Sequence, residues 1–267
     1  MNFYESVCLK IERAKTHVHN LDALIGKFGQ QNPYRLVGNL DPNTGDSIFR
    51  FAKVAPLPSD IPLIVGDAIH NLRSALDHIA WALFERYKTD PKVKRREVFF
   101  PVWQSKQVCE AELARKVKMF GQKAVDAIAK AHPYKGGNQT LWYLHELNLA
   151  DKHRLIVAIV AQAGMDITPF VEDGFARLAK MSGLPTTSVP QFKRRLVIPA
   201  GVGMVAAKEG DVAFTVPAGK VIDLNRKIPM VIAFDEPEIT GRQSVMLVLD
   251  SMVNAVEGIA KQFESLI

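Results

Sequence analysis

The sequence GDAIHNLRSALDHIAWALF, residues 66–84, decides the fold because it predicts one long helix with two different faces. Apolar residues recur at three- and four-residue steps, as in a helix that packs against a core; they are Val65, Ala68, Ile69, Leu72, Ala75, Leu76, Ile79 and Leu83. The other face carries Asp67, His70, Ser74, Asp77, His78 and Trp81, with Asn71 and Arg73 on its flanks. Lys and Glu, which usually cover a solvated helix, are absent between Ile64 and Phe84. We therefore expect the polar face to pack against another element with its polar groups paired.

The composition is typical of a soluble globular protein with a moderate excess of positive charge. Of the 267 residues, 48% are hydrophobic and 23% are charged, and the formal net charge is +6. This excess permits nucleic acid or other anionic partners, but it is not diagnostic of them. Basic runs at residues 88–96 and 193–195 predict a solvated loop and a charged strand edge, with a phosphate-binding patch as the alternative.

Sequence features also predict the compartment. Cys8 and Cys109 are far apart and match no metal-ligand spacing, so we expect free thiols in a reducing environment. The N-terminal sequence MNFYESVCLKIERAK lacks the apolar region of a signal peptide, and the longest apolar run, residues 155–161, is too short to span a bilayer. We therefore predict a cytoplasmic protein that does not enter a membrane.

Known cofactor motifs are absent from the chain. There is no G-x-x-x-x-G-K-[ST] loop, no G-x-G-x-x-G after a strand and no G-x-S-x-G elbow. These absences argue against P-loop nucleotide hydrolysis, dinucleotide redox chemistry and α/β-hydrolase chemistry. We predict no cofactor.

Hydrophobic periodicity predicts an α+β fold. The bundle helices are expected at residues 3–28, 60–87, 138–153 and 244–267, and a further helical stretch at 106–130 should be split at Gly121. Alternating residues on both sides of DPNTGD predict a β-hairpin near residues 34–54. Residues 97–102, EVFFPV, read as a short strand or extended segment.

The second half of the chain predicts an antiparallel β region, inserted at about residues 154–236 between the third and fourth bundle helices. Its candidate strands are residues 154–160, 195–198, 204–207, 212–216 and 230–234, and residues 170–181 read as a short helix. Because both terminal segments match the bundle pattern, we predict that residues 1–267 form a single integrated domain.

Arg73 and His78 are the candidate catalytic pair. A five-residue step corresponds to about 500° of helical rotation, so the two side chains point about 140° apart. They can converge on a substrate only at a groove that a second helix or subunit completes. Such a pair suits RNA cleavage, because His moves a proton during attack of the 2′-OH while Arg stabilises charge on the phosphate. No metal is then required.

A second polar motif ends the third bundle helix. Asn148 and Asp151 are three residues apart and share a face, so they are expected to meet Arg73 or His70 across a helix interface. The residues predicted to support the catalytic pair are Asp67, His70, Asp77, Asn148, Asp151, Lys152, His153 and Arg154. In the structural alternative, Arg73 forms a buried ion pair within the bundle, and Asn148 and Asp151 cap or terminate their helix.

A metal site is the remaining reading of the same residues. Carboxylate and imidazole ligands on bundle helices do form metal sites, and the candidate ligands would be Asp67, His70, Ser74, His78, His145, Asp151 and His153. The chain has no H-x-x-x-H or E-x-x-H pair to support this reading. We predict no bound metal.

The helical R-x-x-x-x-H motif of Arg73 and His78 resembles the HEPN superfamily, helical bundles that include metal-independent RNases of toxin and defence systems. In those enzymes two protomers usually pair so that both motifs line one cleft. The resemblance implies an RNA partner, a homodimer and catalytic roles for Arg73 and His78. The family commonly has Asn, Asp or His after the Arg, where this chain has Ser74. Many members of the superfamily are not catalytic.

A broader resemblance covers roughly residues 60–160. The sequences HNLRSALDH, FFPV and LHELNLADKHR together resemble a group of uncharacterised bacterial and phage-associated proteins. This likeness implies no particular reaction.

Two functions from different classes follow from the sequence. The first is a HEPN-like metal-independent RNA endonuclease, or an RNA-binding relative. The alternative is a non-enzymatic interaction protein whose polar helix face is a satisfied bundle interface. The solvent exposure of Arg73 and His78 distinguishes the two functions, because catalysis requires both side chains in an open cleft.

Overall fold

The computed structural model describes residues 3–88, 92–153, 158–162, 165–166, 179–180, 182, 197–198, 208–218, 230–241 and 243–267. These ranges contain seven α-helices: α1 Phe3–Gln30, α2 Asp60–Tyr87, α3 Lys106–Phe120, α4 Gln122–Lys130, α5 Gln139–His153, α6 Pro237–Thr240 and α7 Val245–Phe263. The strands are β1 Tyr34–Leu40, β2 Ser47–Val54, β3 Ala158–Gln162, β4 Met165–Asp166, β5 Val197–Ile198, β6 Val212–Val216 and β7 Met230–Phe234. The predicted α+β class is confirmed.

The bundle consists of α1, α2, α5 and α7. Helix α2 contacts each of the other three, because its apolar stripe is wide enough to be buried from several sides. The stripe predicted from the sequence is fully buried, and α1 contributes the seam Val7, Ile11, Ala14, Val18, Leu21 and Phe28. None of the helices in the described part of the chain combines the length and apolar character needed to cross a membrane.

The predicted hairpin is present and extends into a sheet. Strands β1 and β2 pair antiparallel from Leu40↔Ser47 to Tyr34↔Val54. The second half of the chain adds β6 to the free edge of β2, which gives the order β1-β2-β6. The rings of Phe49 and Phe214 stack across this junction with their centroids 4.8 Å apart. The hairpin and the β insertion therefore share one sheet, which the sequence did not predict.

The remaining described strands form two small antiparallel pairs, β3 with β7 and β4 with β5. The strands predicted at 212–216 and 230–234 have those bounds, and the one predicted at 154–160 is found at Ala158–Gln162. Residues 154–157 and 195–196 and the predicted strand at 204–207 lie outside the described residues. Of the predicted helix at 170–181, only residues 179 and 180 are described.

The segment between α2 and α5 contains the helices α3 and α4, which are separated by Gly121. This residue separates α3 from α4 with a φ of +74°, a conformation that glycine adopts without strain. Residues 97–102 were predicted as a short strand or extended segment; Glu97 ends a 3₁₀ turn at Arg95–Glu97, and the residues after it form an extended segment that belongs to none of the described sheets. Within this segment, the backbone N–H and carbonyl of Phe100 form hydrogen bonds with side chains of α2.

Candidate functional site

Arg73 and His78 lie on the same helix but face different surroundings. The Arg73 side chain turns inward and retains 7% of its exposure. Its Nη2 donates hydrogen bonds to Asp77 Oδ1 at 2.8 Å and to the carbonyl of Phe100 at 2.5 Å. A guanidinium with planar, fixed donors suits such a double contact.

The Phe100 backbone is held at both of its polar groups. Its N–H donates to Asp77 Oδ1 at 2.9 Å, while its carbonyl accepts from Arg73. The Phe100 ring is fully buried and meets Phe263 of α7 edge to face, with centroids 6.0 Å apart. We call Arg73, Asp77 and the Phe100 backbone the Phe100 clamp, because together they fix the extended segment onto α2.

The guanidinium of Arg73 is a buried charge with a single described counterion. Burial lowers the pKa of Arg73 from its ordinary value, and the Asp77 carboxylate acts in the opposite direction. Its Nη1 is buried and has no hydrogen-bond partner among the described residues. Since removing the counterion from a buried pair leaves an uncompensated charge, the position of Arg73 depends on Asp77.

His145 of α5 lies near the Arg73 guanidinium. Burial, followed by the positive charges of Arg73 and Lys152, lowers the pKa of His145 to about 4. The imidazole is therefore neutral at physiological pH, and its Nδ1 is buried with no hydrogen-bond partner in the described part of the chain. The sequence offers His145 only as a candidate metal ligand, although its i,i+3 spacing to Asn148 places the two residues on the same helix face.

His78 is half-buried and pairs with α1. Its Nδ1 lies 3.1 Å from Ser6 Oγ, and that hydroxyl donates its own hydrogen to the carbonyl of Phe3 at 2.7 Å. The Ser6 oxygen can then only accept from the ring, which assigns the proton to Nδ1 and leaves Nε2 as an unprotonated acceptor. Burial, then Lys10, lowers the pKa of His78, with Asp77 and the Ser6 backbone opposing.

An open pocket of about 420 Å³ lies beside His78. It is lined by Phe3, Ser6, Asp77, His78, Trp81 and Val98, and we call it the His78 pocket. The guanidinium of Arg95 lies over the Trp81 ring, 5.7 Å from its centroid, and therefore stands at the margin of the pocket. Asp77 belongs both to the pocket and to the Phe100 clamp.

The rest of the polar face of α2 is only partly covered by α1. Asn71 accepts a hydrogen bond from Lys10 Nζ at 3.3 Å and donates to the carbonyl of Asp67 at 2.8 Å. Asp67 and His70 are exposed, and His70 Nε2 lies 3.5 Å from Ser74 Oγ. The expectation that the whole face packs against another element is therefore wrong for its N-terminal part, because α1 covers only one flank there.

The second motif lies along the α2–α5 interface. Asn148 is 4% exposed, and the Asp151 carboxylate sits so close to Gly66 that a Cβ there would be 2.7 Å from Oδ1. Lys152 and His153 are exposed at the end of α5, and Arg154 lies outside the described residues. The carboxylate that the structure places on Arg73 is Asp77 of its own helix. The structure thus joins Arg73, Asp77 and His78 into one region and distributes the other described candidates along α2 and α5.

The partners of the catalytic candidates could not be read from the sequence. Ser6 is 72 residues from His78 and Phe100 is 27 residues from Arg73, and no local pattern marks either contact. Trp81, which core packing would explain by itself, proves to line the pocket. Within the described ranges no three His, Cys, Asp or Glu side chains gather as metal ligands would.

Fold and site together define an α+β protein in which an open pocket, lined by apolar side chains and by Ser6, Asp77 and His78, adjoins the ion pair between Arg73 and Asp77. No protein-family model matches the chain, and neither a curated protein nor a solved structure shows significant similarity to it. The chemistry of the site therefore has to be argued from its own residues.

Proposed function

We propose that this chain is a non-enzymatic binding protein in which Arg73 has a structural role. The observation that carries the proposal is the environment of Arg73: its guanidinium is buried, and Nη2 is committed to Asp77 and to the Phe100 carbonyl. A residue that stabilises a phosphate in a transition state must present its donors to that phosphate. In the Phe100 clamp those donors hold the protein's own backbone.

We further propose that residues 1–267 form one integrated domain. Two contacts support this. Strand β6 from the second half of the chain pairs with β2 of the hairpin, and β7 is bridged to the start of α7 through Ala233 and Ser244. The β region is thereby attached both to the hairpin and to the bundle, so these units should unfold together.

The second candidate is the HEPN-like reading, a metal-independent ribonuclease or an RNA-binding relative that acts as a homodimer. The geometry of His78 favours it: burial lowers the pKa of the ring, Nδ1 lies within hydrogen-bond distance of Ser6 Oγ, and the residue lines an open pocket. A general base requires such a group within reach of the proton that it removes. In this reading the cation that meets the phosphate would be supplied by Arg95 at the margin of the pocket or by a second copy of the chain.

An RNase assay of the purified protein in EDTA separates the two candidates. Arg73→Ala and His78→Ala are run beside His70→Ala, a matched control that removes an exposed histidine of the same helix. We expect no cleavage by any protein, a lower melting temperature for Arg73→Ala, and a melting temperature near wild type for His70→Ala. Cleavage in EDTA that is lost in folded Arg73→Ala and His78→Ala, but kept in His70→Ala, would overturn the proposal in favour of the ribonuclease.

A further inference from the structure

We propose that a groove between α1 and α7 docks a basic amphipathic helix of another protein. The groove has a volume of about 460 Å³ and is lined by Lys15, Val18, His19, Asp22, Met246, Asp250 and Val253. We call it the α1–α7 groove. It shares no residue with the His78 pocket, so the proposal goes beyond the structural role of Arg73 and does not depend on it.

The floor of the α1–α7 groove is apolar. Val18 of α1 and Val253 of α7 are only 9% and 8% exposed, and Met246 is half-buried. Leu247 is 69% exposed and lies three residues before Asp250, so the two are neighbours on the surface of α7. A partner that covers this leucine gains free energy by removing apolar surface from water. Two packed helices with an apolar floor between them form the kind of surface on which an amphipathic helix docks.

The walls of the groove are acidic. Asp22 and Asp250 are exposed, and neither side chain forms an ion pair or a hydrogen bond with another described residue. The lysine of the groove, Lys15, is bound by Glu12 at 2.9 Å and by Glu257. Because two carboxylates already share this single positive charge, it does not neutralise Asp22 or Asp250.

The charge of the groove is opposite to that of the whole chain. With His19 neutral at pH 7, negative charges outnumber positive ones at the groove, whereas the formal net charge of the chain is +6. The groove therefore repels nucleic acid and anionic membrane surfaces and attracts cations. A helix with leucines on one side and lysines or arginines beside them matches the floor and the walls together. A small polyamine matches the walls but has no side chain that would cover Leu247.

A second copy of this chain does not suit the groove. Its exposed basic residues 94–96 adjoin the His78 pocket, where Arg95 lies over the Trp81 ring. On α1, Ser6 lines that pocket and Lys15 lines the groove, and nine residues correspond to about 900° of rotation. The two sites therefore lie on opposite sides of α1. Two copies could not exchange this contact about a two-fold axis, and the contact would extend into an open chain.

The experiment titrates the intact chain into a synthetic helical peptide of Leu-Lys-Lys-Leu-Leu-Lys-Leu repeats, followed by fluorescence anisotropy of a dye on the peptide. A matched peptide has glutamate in place of every lysine and keeps the apolar side. Spermine is titrated as a small cation. NMR of the protein, isotopically labelled in its methionine methyl groups, reports on Met246 at the groove and on Met119 of α3, and Met246→Leu assigns the first signal.

We expect the lysine peptide to bind and to shift the Met246 methyl signal, while the Met119 signal stays in place. The glutamate peptide should neither bind nor shift Met246, because the acidic walls repel it. Leu247→Ser should weaken binding of the lysine peptide roughly tenfold, since the partner then buries no leucine at this position.

The acidic walls are tested by neutralising each carboxylate. Asp22→Asn and Asp250→Asn should each weaken binding of the lysine peptide up to about fivefold, as the loss of an exposed charge contact does. Glu110→Gln, at an exposed carboxylate of α3, is the matched control and should leave binding unchanged. All three substitutions are at exposed positions, so the melting temperatures should stay near that of the wild type.

The proposal is overturned if the lysine peptide does not bind, if the glutamate peptide binds equally well, or if Asp22→Asn and Asp250→Asn both bind like the wild type. Spermine that binds as tightly as the peptide would assign the groove to a small cation instead. Sedimentation of the chain alone tests self-association, and an oligomer that Asp250→Asn dissociates would assign the groove to a second copy. None of these outcomes changes the result expected from the RNase assay, so the proposed function fails or stands separately.

Discussion

Asp77→Asn tests the Phe100 clamp with the least change of shape. Asparagine keeps an oxygen that can accept from the Phe100 N–H, so the substitution removes mainly the negative charge that faces Arg73. The Arg73 side chain keeps only 7% of its exposure, whereas that of Asp77 keeps 37%. The Arg73 charge is therefore stabilised mainly by the Asp77 carboxylate, whereas the carboxylate is also stabilised by water.

The magnitude follows from this asymmetry. Breaking a fully buried ion pair by removing one partner costs roughly 3–5 kcal/mol, because a buried charge is left uncompensated. Water at the exposed part of position 77 reduces this cost, so we expect Asp77→Asn to lower the free energy of unfolding by about 2 kcal/mol. Arg73→Met removes the buried charge but leaves the Phe100 carbonyl without its donor, which costs roughly 1–3 kcal/mol.

The assay is a double-mutant cycle by urea denaturation, followed by circular dichroism. With methionine at position 73 there is no buried charge to neutralise, so Asp77→Asn should then have little further effect. We expect the double variant to be about as stable as Arg73→Met alone. The reasoning is refuted if Asp77→Asn stays within about 0.5 kcal/mol of wild type, or if the two single effects simply add.

Three further predictions concern stability. The pKa of His145 is about 4 in the folded chain against 6.5 ordinarily, so the native state binds fewer protons and should lose stability as pH falls from about 6.5 to about 4. The full shift corresponds to roughly 3 kcal/mol, and the remaining solvent contact of the ring reduces the expected loss to about 1–2 kcal/mol. In pH-dependent denaturation, His145→Gln should remove most of the change in stability between these two pH values. Gly121→Ala places a side chain at a φ of +74° and should cost about 1–3 kcal/mol, measured as a lower urea midpoint; a midpoint equal to wild type would contradict it. Leu72→Ala, at a fully buried position, should cost roughly 2–5 kcal/mol, whereas the exposed Leu63→Ala should stay within about 0.5 kcal/mol, and equal losses would disprove the assigned core face.

The sequence predicted those elements whose pattern is local. Helix α2 has its predicted bounds because its apolar residues recur at the helical period, and the hairpin follows from alternation around DPNTGD. The rotation between Arg73 and His78 also indicated that the two side chains would diverge. Each of these inferences used only neighbours within a few turns of chain.

Contacts between distant elements could not be predicted in this way. In the hairpin alone, one edge of β2 would present an unpaired row of backbone groups. The alternation of residues in β2 does not specify that β6 is the strand that pairs with this edge. The same is true of Phe100, whose polar groups could have joined a sheet but are taken by Asp77 and Arg73. Which partner a backbone polar group takes is decided by burial and by the groups within reach, and both depend on the packing of the whole bundle.

The Phe100 clamp also has a consequence for the surface of the molecule. Val98 and Arg95 lie two and five residues before Phe100. Because Phe100 is fixed in the core, the range of positions open to Arg95 is restricted. A ligand at the His78 pocket would then meet a surface that is already arranged, and less ordering entropy is lost on binding. A substitution of the buried Arg73 should accordingly weaken ligand binding at the His78 pocket, although Arg73 does not line that pocket.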